Sequence, residues 1–228
     1  MSVIIAKGIS KTYDPDGMPV LALQRIDLEI REGEFTAIVG PSGSGKSTLL
    51  NIIGGLDKPS EGMVEVGGHM ITELSDNELI DFRKEHIGFV FQAYNLIPVL
   101  TARENVEFVM LLQQRPKAER EARTKELLHA VGLDDKMDKR PGELSGGQQQ
   151  RVAVARALAP KPAFILADEP TANLDTKSTE NLLDIMAELN REEKITFIFS
   201  THDQRVINRA RRVITLVDGA VASDEKRD

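Results

Sequence analysis

The sequence predicts an α/β fold built around a parallel β-sheet, and three observations point to it. Five short apolar runs alternate along the chain with amphipathic helical patterns, which favours right-handed β-α-β crossovers. The runs are apolar on both faces, as is typical of buried parallel strands. The chain has 228 residues, of which 41% are hydrophobic, so it can bury a sizeable core in one domain. The predicted strands span residues 35–39, 89–91, 163–167, 195–199 and 213–217.

Three helical patterns lie between these runs. The second of them places opposite charges four residues apart, with Glu119 before Arg123 and Glu121 before Lys125, which favours two ion pairs on the helix. The third carries apolar residues at helical spacing and so predicts one buried face. The predicted helices span residues 46–53, 119–131 and 176–190.

The stretch 92–160 is mostly helical in pattern, and no Ser-, Gly- or Pro-rich linker separates it from its flanks. We therefore expect one domain over residues 1–228. Residues 1–91 and 161–228 would form its core, and residues 92–160 an inserted helical lobe.

Composition excludes several classes of protein. The chain has no Cys, which rules out disulfides, thiolate metal sites and a Cys nucleophile. The formal net charge is −7, whereas a general nucleic-acid binder is usually basic. No run approaches the roughly 20 apolar residues that a membrane span needs, and the N-terminal residues do not resemble a signal peptide. We expect a cytoplasmic protein with no membrane span that binds no nucleic acid.

A complete phosphate-binding motif, G-x-x-x-x-G-K-[ST], follows the first predicted strand and opens the first predicted helix. Its glycines let successive backbone N–H groups point inward, and the helix N-terminus adds positive potential. The lysine can reach the β- and γ-phosphates, and the serine after it can ligate Mg²⁺. The alternative is an ordinary glycine-rich βα turn. The predicted contact residues are Gly40, Pro41, Ser42, Gly43, Ser44, Gly45, Lys46, Ser47 and Thr48.

Two carboxylates, Asp168 and Glu169, end the apolar run 163–167. Ligands of open α/β sheets bind at the carboxyl ends of the strands, so both residues are expected at a ligand site. Asp168 suits the Mg²⁺ shell, and Glu169 suits polarisation of an attacking water. The alternative is a solvated strand end with two turn-forming acids.

A second glycine turn, at residues 144–148, precedes a strong helical stretch at residues 151–159. Ser145 is a candidate N-cap, which would be a purely structural role. Gly146 and Gly147 would also expose backbone N–H groups at a helix start, which makes a second anion site. One globule rarely needs two such sites for one triphosphate, so one of them is expected to complete the nucleotide site of another subunit.

The sequence of residues 144–148, LSGGQ, resembles the signature motif of the ATP-binding-cassette (ABC) ATPases, and its place between the phosphate loop and the acidic strand end fits that family. The resemblance covers essentially the whole chain. It implies a P-loop NTPase core of the ABC ATPase type with an inserted helical subdomain. The implied activity is hydrolysis of ATP to ADP and phosphate, with ATP and Mg²⁺ bound.

The resemblance also implies roles for isolated residues. Tyr13 would stack on adenine, Gln92 would contact Mg²⁺ and water, and His202 would contact the γ-phosphate. Asp175, in the segment that resembles the D-loop, would lie near the nucleotide, although it also suits an N-cap. Without the resemblance, a half-buried strand Tyr, a strand-end Gln and a structural His are the simpler interpretations. The implied catalytic residues are Glu169, His202 and Gln92, the Mg²⁺ ligands are Ser47, Gln92 and Asp168, and the signature contacts are Ser145, Gly146, Gly147 and Gln148.

Four further strings, at residues 54–59, 95–98, 100–102 and 104–107, resemble the ATPases of macrolide or peptide export and lipoprotein release (MacB/LolD type). That group implies a head-to-tail homodimer formed with ATP, and an integral membrane permease that holds the ATPase on the inner face of the cell membrane. The alternative is an FtsE-like cell-division ATPase that transports nothing. Residues 94–98 are expected either to dock the permease or to cap the core of the lobe.

Overall fold

The computed structural model describes residues 1–14 and 17–227. The strands in these residues are β1 (Ser2–Tyr13), β2 (Val20–Arg31), β3 (Phe35–Val39), β4 (Glu61–Val66), β5 (His69–Met70), β6 (Ile87–Phe91), β7 (Phe164–Asp168), β8 (Thr196–Ser200), β9 (Arg212–Val217) and β10 (Ala220–Lys226). The helices are α1 (Lys46–Ile53), α2 (Asp76–His86), α3 (Ala102–Leu112), α4 (Lys117–Ala130), α5 (Gly146–Leu158), α6 (Thr176–Glu193) and α7 (Gln204–Arg209).

The central sheet has the strand order β10-β9-β3-β8-β7-β6. Its strands from β9 to β6 pair in parallel, and β10 adds an antiparallel edge. The α/β fold with a parallel sheet is thus confirmed, and each of the five predicted strands is present to within two residues at either end. Non-consecutive neighbours such as β3 and β8 require crossovers, and the intervening helices supply them.

A second sheet, with the order β2-β1-β4-β5, is antiparallel and was not predicted. Its strands bury one face only, so they lack the continuous apolar runs that mark the central sheet. Register shifts between β1 and β2 also interrupt the alternation of buried and exposed residues. This sheet matters for the site because β2 begins beside the phosphate loop.

The predicted helices at 46–53, 119–131 and 176–190 are observed as α1, α4 and α6, with α1 having the predicted bounds. The predicted ion pairs on α4 are wrong. Glu119 pairs instead with Arg115 at 2.9 Å, and Glu121 pairs with Lys117 at 3.7 Å. For the first pair the reason is that Arg123 is buried and donates to Glu126 and to the carbonyl of Leu158 instead.

The helices α3, α4 and α5 lie within the stretch expected to form the helical lobe, whose boundaries at 92 and 160 remain a prediction. They bury their apolar faces together with α6 and one face of the central sheet, in a single cluster of side chains. The other face of that sheet packs on α1 and on the antiparallel sheet in a second cluster. The helix α5 lies very close to β6, since a Cβ on Gly88 would come within 2.7 Å of the Ala157 carbonyl oxygen.

Arg212 on β9 links the edge strand β10 to the residue that precedes β3. Its guanidinium contacts Glu34 at 2.8 Å and both carboxylate oxygens of Asp224 at 2.8 and 2.7 Å, and its side chain is only 9% exposed. The hydrogen bonds from Arg212 hold the pKa of Asp224 below its usual value. Removal of one partner would leave charges in a poorly solvated place.

Replacement of Arg212 by Ala is therefore expected to lower the free energy of unfolding by about 3 kcal/mol, measured by urea titration. The matched control is Arg209→Ala, because Arg209 forms a more exposed ion pair with Asp184. That control is expected to cost less than about 1 kcal/mol. Equal losses in the two variants would contradict a stabilising role for the Arg212 network.

Candidate active site

A cavity of ≈ 720 Å³ opens at the carboxyl ends of the central strands. It brings together the phosphate loop, Gln92 from the end of β6, Glu169 from the end of β7 and His202 from the end of β8. These segments are distant in sequence, and they meet because the strands before them run in parallel. The predicted residues in these segments thus line one cavity, and their roles in it stay a prediction.

The phosphate loop connects β3 to α1 in a conformation that needs glycine at two positions. Gly40 has φ of 148°, and a Cβ there would lie 2.1 Å from the carbonyl oxygen of Leu216. Gly45 has φ of 98°, and a Cβ there would lie 2.6 Å from the carbonyl oxygen of Ala22. The loop therefore passes close to the backbone of β2 and β9, and it can make this approach only without side chains.

Lys46, the first residue of α1, folds back over this loop. Its Nζ donates to the carbonyl oxygens of Gly40 and Pro41, both at 2.9 Å. The N-terminus of α1 adds its unpaired N–H groups on the side of the cavity that Lys46 lines. A cation and a helix N-terminus that face one cavity provide an anion site of the kind that holds phosphates.

The hydroxyl of Ser47 donates to Oδ1 of Asp168 at 3.1 Å. An oxygen group from α1, which lines the cavity, thus lies beside one from the end of β7, which is not part of the lining. Gln92 also lines the cavity. Carboxylate, hydroxyl and amide oxygens are the donors that Mg²⁺ prefers. The residues present fit a magnesium ion that is bound together with phosphates.

Glu169 occupies the turn directly after β7 with a left-handed backbone, φ 46°, which costs of order 1 kcal/mol or more for a residue other than glycine. Its N–H donates to the carbonyl oxygen of Ser200, which fixes this turn against β8. Oε1 of Glu169 lies 2.8 Å from Nδ1 of His202, and Thr201 donates to Oε2 at 3.4 Å. The carboxylate is thus held by the strand end that carries His202.

The turn that presents His202 is itself fixed by the next residue, Asp203. Asp203 accepts from the hydroxyl of Thr171 at 2.9 Å and from the guanidinium of Arg205 at 2.7 Å. The hydrogen bonds from Arg205 are the largest cause that lowers the pKa of Asp203 to about 2. Because the folded pKa is depressed, this stabilisation is fully present above pH 3.8 and is lost as the pH falls towards 2.

The turn at residues 144–148, here called the signature turn, lies outside this cavity. Ser145 caps α5 through a reciprocal pair of bonds, accepting from the Gln148 N–H at 3.3 Å and donating its own N–H to Oε1 of Gln148 at 2.8 Å. Ser145, Gly147 and Gln148 line a separate hollow of ≈ 260 Å³ beside α6. Asp175 is the N-cap of α6, accepting from the Ser178 N–H at 2.9 Å, so the structural role expected for it is present.

The two signature glycines are packed against neighbouring side chains. A Cβ on Gly146 would come within 2.7 Å of the phenolic oxygen of Tyr94, and one on Gly147 within 2.8 Å of the Ser178 side chain. A side chain at Gly147 would therefore displace Ser178, whereas one at Gly146 would meet the movable end of Tyr94. This packing of the glycines could not be read from the sequence, because it depends on contacts with distant segments.

Side chains of α5 and of the loop after β7 donate hydrogen bonds to backbone carbonyls between the large cavity and the signature turn. Arg156 of α5 donates to the carbonyl oxygens of Tyr94 and Asn95, the former at 3.0 Å. Gln150 of α5 donates to the carbonyl of Pro170 at 2.7 Å, and Asn173 donates to the carbonyl of Gln92 at 3.0 Å. The segment that follows Gln92 is therefore bonded to the helix that carries the signature turn.

Tyr13 lies at the end of β1, where it pairs with Val20, a residue of the cavity wall. Its hydroxyl donates to Asp57 at 2.7 Å, Lys11 Nζ lies 4.8 Å from its ring centroid, and 39% of the residue is exposed. Tyr13 itself is not among the residues that line the cavity as the structure describes it. Its stacking on adenine remains a prediction.

Sequence reasoning missed five cavity residues. Two of them, on β2, are apolar and about half exposed, which gives the cavity a hydrophobic wall beside the phosphate loop. No motif marks them, since their place depends on how the antiparallel sheet packs on the central one. The missed residues are Val20, Leu21, Ala22, Ala172 and Ser200.

Comparison with known proteins identifies the family. The family model described as "ABC transporter" matches residues 23–172. A lipoprotein-releasing system ATP-binding protein, LolD 1 of Rhodopseudomonas palustris, is 49% identical over 96% of this chain and 98% of its own length. A macrolide export ATP-binding/permease protein, MacB of the same species, is 48% identical over 98% of this chain but only 34% of its own length.

Solved structures give the same answer. The dimeric post-hydrolysis structure of the ATP-binding cassette MJ0796, bound to ADP and Pi, is 46% identical, covers 99% of both chains and superposes with a TM-score of 0.90. A second dimeric MJ0796 structure superposes with a TM-score of 0.91 at 47% identity. MJ0796 is a protein of Methanocaldococcus jannaschii.

These relatives belong to macrolide export and lipoprotein release, which favours the transporter interpretation over the cell-division alternative. In residues 1–14 and 17–227, the structure has no helix with the length and apolar character to cross a bilayer. The family match covers more than half of the chain, and the relatives align with nearly all of it. The chain therefore belongs to the ATP-binding proteins of ABC transporters and has the ATPase fold of that family.

Proposed function

We propose that this protein is the ATP-hydrolysing subunit of a membrane transporter, and that two copies enclose the ATP between them. The observation that carries the dimer is the separation of the two anion sites. Within one chain the phosphate loop lines the large cavity, whereas Ser145 and Gln148 line a hollow of their own. Each chain thus offers two incomplete halves of a site, and a two-fold, head-to-tail pair joins unlike halves twice.

In the proposed site, the loop from Gly40 to Thr48 and the Nζ of Lys46 hold the phosphates. Ser47, Asp168 and Gln92 hold Mg²⁺, which supplies charge neutralisation on the phosphate oxygens when it is bound. Tyr13 and the apolar wall at Val20 and Leu21 take the base. Support for these roles comes from the cavity lining and from the 3.1 Å contact between Ser47 and Asp168.

Glu169 is proposed to polarise the attacking water, and His202 to orient the γ-phosphate side together with Gln92. The 2.8 Å contact between His202 and Glu169 supports this pairing, because it places both groups on one side of the cavity. The signature residues Ser145, Gly146, Gly147 and Gln148, with Asp175 nearby, approach the same nucleotide from the second copy. The dimeric MJ0796 cassette with ADP and Pi supports this assembly by similarity.

The γ-phosphate would contact both copies, so its loss on hydrolysis would remove contacts that exist only in the closed pair and let the pair open. The partner we propose is an integral membrane permease of the macrolide-export or lipoprotein-release type, which would hold this chain at the cytoplasmic face of the membrane. The similarity to LolD and MacB supports that choice. The segment after Gln92 is the proposed docking element, since it is bonded to α5 and would move with the signature turn.

Lys46→Ala is expected to weaken ATP binding by about tenfold to a hundredfold, because it removes a charge-assisted hydrogen bond to phosphate. Equilibrium titration with a fluorescent ATP analogue measures this. The control is Lys58→Ala, which removes an exposed lysine that pairs with Asp76. Equal affinities in the two variants would contradict the phosphate-loop assignment.

Glu169→Gln is expected to bind ATP and to accumulate as a stable dimer with turnover reduced at least a hundredfold. Light scattering with and without ATP, beside phosphate release, measures both effects. Glu188→Gln on the exposed face of α6 serves as the control and should behave as wild type. Near-normal turnover in Glu169→Gln would rule out its role in water activation.

Docking of the permease can be tested with single thiols, since the chain has no Cys. Leu96 packs partly against the core of the lobe, whereas Val99 is 71% exposed, so Val99→Cys is the better probe of this segment. We expect it to form a cross-link with a co-expressed permease. Val221→Cys on β10 is the control and should give none. Failure of Val99→Cys to cross-link in any nucleotide state would contradict docking at this segment.

A further inference from the structure

Ser200, the last residue of β8, carries a hydroxyl that the established motifs do not explain. The residue is fully buried, at 0% exposure, yet it belongs to the wall of the large cavity. Within the described part of the chain, its Oγ has no hydrogen-bond partner. A buried polar group without a partner destabilises the fold, so a hydroxyl kept in this place needs a reason.

The sheet places this hydroxyl between the two halves of the phosphate and metal site. β8 lies between β3, which leads into the phosphate loop, and β7, which ends in Asp168. Ser200 is in register with Ile38 on one side and with Asp168 on the other. Because register partners in a parallel sheet share a face, the side chains of Ser200 and Asp168 lie on the same side.

That side is the one covered by α1. Ile198 and Leu166, two residues before Ser200 and Asp168 on their strands, pack in the same hydrophobic cluster as Leu49 and Ile52 of α1. Two residues further along these strands, at Ser200 and Asp168, the apolar cluster ends. The polar start of α1 lies there, and the Ser47 hydroxyl is 3.1 Å from Oδ1 of Asp168. The Ser200 hydroxyl therefore lies at the boundary between the apolar core and the oxygen ligands of the site.

Three other buried hydroxyls also lack a hydrogen-bond partner within the described residues, and their positions differ from that of Ser200. Thr124 of α4 and Thr179 of α6 are also buried without a partner, but both are in helices and neither lines the cavity. Ser44 shares the condition, and it belongs to the phosphate loop itself. Two of the unpartnered hydroxyls thus fall where phosphate and cation would bind, and Ser200 is the one that no motif assigns.

We propose that Ser200 is a positioning residue of the ATP site, whose hydroxyl hydrogen-bonds to the hydration shell of the nucleotide-bound divalent cation beside Asp168. The hydroxyl would gain its missing partner only when nucleotide and cation are both present. It would then bias that water shell towards the arrangement in which Asp168 and Ser47 hold the ion. This inference rests on the proposed function, which assigns the cation to those two residues.

The experiment measures the affinity of a non-hydrolysable ATP analogue for the full chain by equilibrium titration, once with Mg²⁺ and once with a chelator. The variant is Ser200→Ala, which deletes the hydroxyl and little else. The control is Thr124→Val, which deletes an equally buried and unpartnered hydroxyl in α4. Thermal unfolding of each nucleotide-free variant is measured beside the titrations.

With Mg²⁺, Ser200→Ala is expected to bind the analogue about five- to tenfold more weakly than wild type, in line with the loss of one hydrogen bond. With the chelator its affinity should equal that of wild type, and Thr124→Val should match wild type in both conditions. The nucleotide-free Ser200→Ala should be at least as stable as wild type, since an unpartnered hydroxyl has been removed.

Two results would overturn the proposal. One is wild-type affinity of Ser200→Ala in the presence of Mg²⁺. The other is an equal loss with and without Mg²⁺, which would place the hydroxyl on the phosphate or in the fold and not on the cation's shell. Failure of the proposed function is distinguishable, because it would appear in the wild-type protein as binding that does not depend on Mg²⁺.

Discussion

The parallel register of β3, β8 and β7 is the constraint on which the rest of the site depends. Hydrogen bonding between these strands aligns their carboxyl ends, and so brings the phosphate loop, His202 and the Asp168–Glu169 pair to one edge. The proposed ligands of the site come from segments more than a hundred residues apart, as the contact between Ser47 and Asp168 illustrates. A slip of one residue in either pairing would turn Asp168 away from α1.

The same register explains why the two neighbouring carboxylates, Asp168 and Glu169, point to different parts of the site. Asp168 still belongs to β7 and faces α1, whereas Glu169 leaves the strand through a left-handed turn and meets His202. The backbone strain at Glu169 is tolerated because its N–H is held by the Ser200 carbonyl. One strand end thus presents one carboxylate to the proposed metal position and the next to the proposed water position.

The predicted helical lobe adds a second constraint. Its helix α5 carries the signature turn and is bonded through Arg156 to the segment after Gln92. In the proposed dimer, a shift of that segment by a permease would therefore move the signature turn that faces the other copy's nucleotide.

Sequence predicted most of what is local and less of what depends on packing. The strand, loop and helix from Phe35 to Ile53 were predicted with the observed bounds, because strand pattern, glycine turn and helix pattern follow one another directly. The sheet of β1 and β2 was missed, since its strands bury one face and carry bulges. The ion pair predicted between Glu119 and Arg123 was wrong because burial of Arg123 decides its partner.

The candidate site divides in the same way. Motifs located the loop, the acidic strand end and the signature turn, but only the fold shows that the signature turn lines a different hollow from the loop. Ser200 could not be found from sequence, because a serine at a strand end is common and its lack of a partner is a property of the packed structure.

The central claim, that the two anion sites of different copies make one ATP site, is tested most directly by mixing two defective variants. One variant, Lys46→Ala, has a disabled loop, and the other, Ser145→Arg, has a disabled signature turn. A mixed pair contains one site in which both halves are intact, so ATP hydrolysis should return in the mixture, to at most roughly a quarter of the wild-type number of sites. If the site were complete within one chain, the mixture would stay as inactive as its two components.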